Sequence, residues 1–181
     1  MRLSNQPAVS SQRKTASRLT RRIIGVDPGL AASGWGVIEF DNLRLRYIAH
    51  GCIETKADCP RVERLFFIYR EFCSVLETYL PGESAVETLY FGRNVTSAIA
   101  VAESRGVLSL ALAQKGLLVR EYTPNIIKQA VVGGGKADKR QIQEMVRLLL
   151  GLDAIPKPDH SADALASAIC CAHGGPQALL E

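Results

Sequence analysis

The sequence predicts an α/β domain on a mixed five-stranded sheet, three antiparallel strands followed by βαβ units, with helices on both faces. Three observations carry that expectation. Three short apolar or alternating runs follow one another between residues 22 and 53, separated by turn residues. After residue 60 the apolar spacing becomes helical, and helical segments then alternate with two further short apolar runs. The chain has 181 residues, 47% hydrophobic and 22% charged, enough for one domain with a real core.

Each element has its own signal. Arg22–Asp27 is an apolar run (Ile23, Ile24, Val26) that ends at Pro28-Gly29, as a buried strand entering a turn does. Gly34–Phe40 is a second strand, closed by Asp41-Asn42. Leu43–Ile53 alternates Leu43, Leu45 and Tyr47 with Arg44 and Arg46, which marks a third. Next, Val62, Leu65, Phe66, Tyr69, Phe72, Cys73, Leu76 and Leu80 recur at helical intervals between Pro60 and Pro81-Gly82. Ser84–Leu89 is a strand, Val95–Lys115 a long helix with Asn94 as its cap, and Leu117–Tyr122 a strand. Pro124 opens a short helix through Val131, and Gly133-Gly134-Gly135 breaks the chain. Ala137–Leu150 is a helix with an apolar stripe of Ile142, Met145, Val146, Leu149 and Leu150. A connection bearing Pro156 and Pro158 leads to a last helix, about Asp159–His173.

Charge divides unevenly. Residues 1–22 hold six of the 22 Lys and Arg residues and no acid, so residues 23–181 are net −2 although the chain is +4. A nucleic-acid role must therefore rest on local patches and bound cations. Residues 1–21 are expected to be a disordered basic tail, 22–175 the domain, and 176–181 a C-terminal tail. The tail has no apolar signal core; its composition fits an arm on DNA phosphates, and also an organelle transit segment. No apolar run approaches the roughly 18 residues of a membrane helix. The five cysteines form no C-x-x-C pair and no zinc-ligand spacing, and read as reduced thiols of a cytoplasmic protein.

Four side chains sit oddly for mere structure. Asp27 follows Ile-Ile-Gly-Val directly, where an ionised carboxylate needs compensation, although an Asp before Pro-Gly also caps turns. Glu87 lies in Ala85-Val86-Glu87, in a strand expected to be central, unless it faces solvent. His160 and Asp163 are three apart at a helix start, and so share a face; a cap-and-dipole pair is the plainer alternative. If the first and fourth strands are neighbours, Asp27 and Glu87 converge. Close carboxylates repel, and a divalent cation such as Mg²⁺ or Mn²⁺ removes that cost. The helix dipole is expected to lower the pKa of His160.

These residues resemble a known family. Ile24-Gly25-Val26-Asp27-Pro28-Gly29 with Gly34-Trp35-Gly36-Val37-Ile38, then Ala85-Val86-Glu87, then Arg93-Asn94 through Ala102 and Arg105-Gly106-Val107, then Lys128-Gln129-Ala130-Val131-Val132-Gly133 and Ala162-Asp163-Ala164-Leu165-Ala166, are similar to the RuvC Holliday junction resolvases, within the ribonuclease H-like nucleases. The resemblance covers about residues 22–173. It implies a ribonuclease H-like fold, and a bacterial cytoplasmic, nucleoid-associated homodimer that cuts four-way DNA junctions by paired symmetric nicks, in recombination and repair. It implies catalysis and metal ligation by Asp27, Glu87, His160 and Asp163, with two Mg²⁺ per site and Mn²⁺ as a substitute. His160 stands where some members carry an Asp. DNA contacts are implied at Tyr90, Phe91, Arg93, Lys128, Lys136, Lys139 and Arg140, the aromatic pair as a base-stacking loop. Implied partners are junction-migration proteins of the RuvA and RuvB type, and no membrane. The dimer is expected to form through Val95–Lys115, where Ile99, Ala102, Val107 and Leu110 exceed one core face.

Three other readings share parts of this pattern. Gly25-x-Asp27-x-Gly29 also resembles the phosphate loop of sugar kinases and actin-like ATPases, but those need two such domains, more than 181 residues hold. A related nuclease on another branched or hybrid substrate, and a non-cleaving junction-binding protein, use the same residues.

Overall fold

The computed structural model describes residues 20–88, 95–135 and 137–174. Its elements run β1 (Arg21–Asp27), β2 (Ala32–Asp41), β3 (Arg44–Glu54), α1 (Arg61–Tyr79), β4 (Glu83–Glu87), α2 (Val95–Gln114), β5 (Val119–Tyr122), α3 (Pro124–Val132), α4 (Lys139–Leu150) and α5 (Asp159–Ala172). The sheet order is β3-β2-β1-β4-β5. The first three strands are antiparallel, and β1–β4 and β4–β5 are parallel. This is the expected mixed sheet, and β1 and β4 are indeed neighbours.

Two apolar layers sandwich the sheet. One joins Ile24, Val26, Val37, Ile53 and Val86 to α1 and α2. The other joins Ile23, Ile38, Ala85 and Tyr122 to α3, α4 and α5. Strand alternation assigns the faces: Ile24 and Val26 point to α1 and α2, so Asp27 points with Ile23 and Gly25 toward α5.

Helix α5 makes its closest approaches to the sheet over glycines, with Leu165 lying on Gly36. A Cβ on Gly25 would run into the backbone carbonyl of Ala164, and one on Gly34 into that of His160. On the helix side, Ser161, Ala162, Ala164, Ser167 and Ala168 are buried and small. Ser161 Oγ donates to the Gly51 carbonyl at 2.9 Å and ties the first turn of α5 to β3.

Several details depart from the sequence expectations. Strand β1 begins at Arg21, one residue before the expected Arg22, so Arg21 is a strand residue rather than part of the basic tail. Arg21 pairs with Glu83, and Arg22 shares Glu39 with Arg46. Leu43 is not in β3: Asn42 and Leu43 both have positive φ (47° and 65°) and make the two-residue hairpin turn, leaving Leu43 80% exposed. The buried stripe of α1 is Ile68, Phe72 and Leu76, whereas Val62 (76% exposed) and Phe66 (63%) face outward. That helix is apolar around much of its circumference, so periodicity alone did not select its inner face. Helix α4 starts at Lys139, not Ala137, because Asp138 and Gln141 form a reciprocal capping box. Strand β4 ends at Glu87 rather than Leu89, which lies outside the described residues, as does the expected cap Asn94.

Candidate active site

Asp27 is the last residue of β1 and Glu87 the last of β4. Val26 pairs with Val86 in the parallel register, so the two carboxylates follow side by side on the face that carries α5. The turn after Asp27 is fixed locally. Ser33 Oγ donates to the Gly29 carbonyl at 2.6 Å, and Thr55 Oγ1 donates to that of Leu30 at 2.6 Å. Helix α5, seated on Gly25 and Gly34, brings His160 and Asp163 over the same strand ends.

The four expected residues therefore do converge. His160 Nδ1 donates to Asp27 Oδ2 at 2.7 Å. Asp163 Oδ2 lies 3.3 Å from Lys139 Nζ. Burial, then the charges of Asp27 and Asp163, push the Glu87 carboxyl up to about 7, against the opposing pull of Lys128 and Lys139. Burial and Asp27 likewise raise the pKa of Asp163. The site holds more negative charge than its own cations relieve.

That excess is the test of whether a metal fits. Three carboxylates and an imidazole at strand and helix ends are a donor set for a hard or borderline divalent cation, which would offset the repulsion that, after burial, raises Glu87 and Asp163. The set is not drawn together as a ligand cluster among the described residues. Asp27 is instead taken by His160 and Asp163 by Lys139.

One expectation is overturned. The pKa of His160 is raised, not lowered. Its hydrogen bond to Asp27 is the largest influence and outweighs burial.

The basic residues separate. Lys139, expected on DNA, reaches into the acidic site, because the capping box places it at the start of α4 beside the first turn of α5. Lys128 is half-buried on α3, close enough to Glu87 to oppose the rise of its pKa. Arg140 is exposed. Tyr90, Phe91, Arg93 and Lys136 lie outside the described residues. Asp159 was not among the four, yet it meets Lys139 at 3.3 Å and Lys157 at 3.4 Å. The sequence offers Asp159, beside His160, as the next candidate should His160 not touch the metals; the capping pattern Asp138-x-x-Gln141 is the one signal that could have fixed where α4 begins, and with it the contact to Lys139.

Comparison with known proteins follows the same lines. A model of the family described as "Crossover junction endodeoxyribonuclease RuvC" matches residues 23–171. A protein of that name from Chloroflexus aurantiacus is 53% identical over 155 residues, 86% of this chain and 94% of the relative. A solved Thermus thermophilus RuvC in complex with a Holliday junction substrate superposes with a TM-score of 0.81 at 32% identity, over 87% of this chain and 99% of that one. The yeast mitochondrial Holliday junction resolvase, at 14% identity and a TM-score of 0.63, shares the fold.

Proposed function

The chain belongs to the RuvC family of crossover junction endodeoxyribonucleases, and from that premise we propose that it resolves four-way DNA junctions by paired symmetric nicks, with Asp27, Glu87, Asp163 and His160 as its catalytic set. The observation that carries this reading is the meeting of three acids from β1, β4 and α5 at one end of the sheet, where Glu87 is pushed up to about 7 by burial and then by Asp27 and Asp163.

These four residues would hold the divalent cations, Mg²⁺ in this reading and two per site. Bound there, the metal supplies Lewis-acid activation of a water and offsets charge on the leaving oxygen. The chain supplies the rest. Asp27 and Glu87 are rooted in paired strands, so their carboxylates are set before DNA arrives. His160 orients Asp27 through the 2.7 Å hydrogen bond. Lys128, Lys139 and Arg140 offer positive charge to phosphates beside the acids. Water attacks phosphorus and the bond to the 3′ oxygen breaks, which leaves a 5′-phosphate and a 3′-hydroxyl.

Two symmetric nicks call for two sites related by a two-fold axis. Ile99, Ala102 and Leu110 lie exposed along one line of α2, while Val107 packs inward, so that line is the homodimer face of this reading. Partners of the RuvA and RuvB type and a bacterial cytoplasmic, nucleoid-associated setting go with the family. Among the described residues no helix is long and apolar enough to cross a membrane.

The test is Mg²⁺-dependent nicking of a synthetic four-way junction, a linear duplex and an RNA–DNA hybrid of the same sequence. Paired incisions confined to the junction are expected. Preference for the hybrid, or tight junction binding with no incision, would replace this reading.

A further inference from the structure

We propose that Lys139 is a built-in competitor of the metal: in the cation-free protein its ammonium bridges Asp159 and Asp163, and metal binding has to displace it. The inference rests on the metal-site reading above. Lys139 Nζ stands 3.3 Å from Asp163 Oδ2 and 3.3 Å from Asp159 Oδ2. An oxygen held by an ammonium offers a divalent cation less field, and the ammonium itself repels the ion.

The contact is built into the fold rather than left to a long side chain. Lys139 is the first residue of α4, and the Asp138–Gln141 capping box sets where that helix starts. Ile142 and Val146 of α4 share a core with Leu165 and Ile169 of α5. The backbone of Lys139 therefore sits at a set distance from the first turn of α5.

The two acids differ in what they lose. Asp159 keeps Lys157 on Oδ1 at 3.4 Å, so it stays compensated when Lys139 leaves. Asp163 passes from the ammonium to the metal. The displaced lysine, whose side chain is already 54% exposed, then stands beside the site with a free charge to offer a DNA phosphate.

The experiment is Mn²⁺ binding to the full chain without DNA, by isothermal titration and by the electron paramagnetic resonance of free Mn²⁺. Wild type, Lys139→Ala, Lys139→Arg and Asp27→Asn are compared, with circular dichroism to check folding. Lys139→Ala is expected to bind Mn²⁺ roughly three- to fivefold more tightly than wild type, the range of a partly exposed ion pair. Lys139→Arg is expected to stay at or below wild-type affinity, and the advantage of Lys139→Ala to shrink as KCl rises. If Asp27→Asn weakens Mn²⁺ binding but Lys139→Ala does not tighten it, the competitor role is wrong and the metal site stands. If Asp27→Asn leaves the affinity unchanged, the metal site itself is wrong and the competitor role falls with it.

Discussion

The backbone carbonyl of His160 occupies the space that a Cβ on Gly34 would fill. A glycine near the start of β2 thus decides how closely the start of α5 approaches the sheet. The distance between Asp27 on β1 and the pair His160 and Asp163 on α5 follows from it. Gly25, under Ala164, does the same one strand away.

Gly34→Ala is therefore expected to lift the first turn of α5. The cost of such overpacking is roughly 1–3 kcal/mol. Urea denaturation should show that loss, and nicking by the protein that remains folded should fall at least tenfold. Wild-type nicking in Gly34→Ala would mean that the site tolerates a shifted α5.

Removing one acid should separate binding from chemistry. Asp27→Asn is expected to keep junction binding, since it removes a negative charge near DNA phosphates, and to lose cleavage by two orders of magnitude or more, roughly the scale of losing one transition-state interaction. His160→Ala should lose less than Asp163→Asn, because His160 acts on Asp27 through one hydrogen bond. Gel shift and nicking on the same junction read both quantities.

Glu87 links the site to stability. Its carboxyl is raised from 4.5 to about 7 in the fold. Between those values the folded state holds a proton that the unfolded chain has released, so stability falls as pH rises through that window. Glu87→Gln removes this loss. In the absence of divalent cations the variant should gain on wild type from pH 5 to pH 8, by on the order of 2 kcal/mol at the upper end. Mg²⁺ should stabilise wild type and close the gap. A difference that does not change with pH would place Glu87 outside the acidic cluster.

Lys128 should act through phosphates. Lys128→Ala is expected to weaken junction binding and reduce the slope of log K against log salt by about 0.9, the share of one phosphate contact. An unchanged slope would leave its charge to Glu87 alone.

The exposed line of α2 should hold the dimer. Leu110, 55% exposed, is more open than a residue of one core face needs to be. Leu110→Lys is expected to shift the protein to monomer in light scattering and to convert paired incisions into single nicks. A dimer of unchanged stability would move the interface to another face.

Much of this molecule was legible in its sequence for a local reason. Alternation and helical spacing record which side of each element meets apolar neighbours, so element order and sheet type follow from them. Asp27 and Glu87 stood out because each ends an apolar strand with a charge that such a strand has no use for. What required the fold are relations between elements that no spacing encodes. The adjacency of β1 and β4 turned two separate acids into one site. The glycine bed under α5 set the reach of His160, whose contact with Asp27 then outweighed burial and raised its proton affinity instead of lowering it. The packing of α4 on α5 carried Lys139 to Asp159 and Asp163, and burial in one layer rather than another chose Ile68 over Phe66 as the inner face of α1. Each depends on distances across the chain, and charge interactions fall off with distance in space, not with separation in sequence.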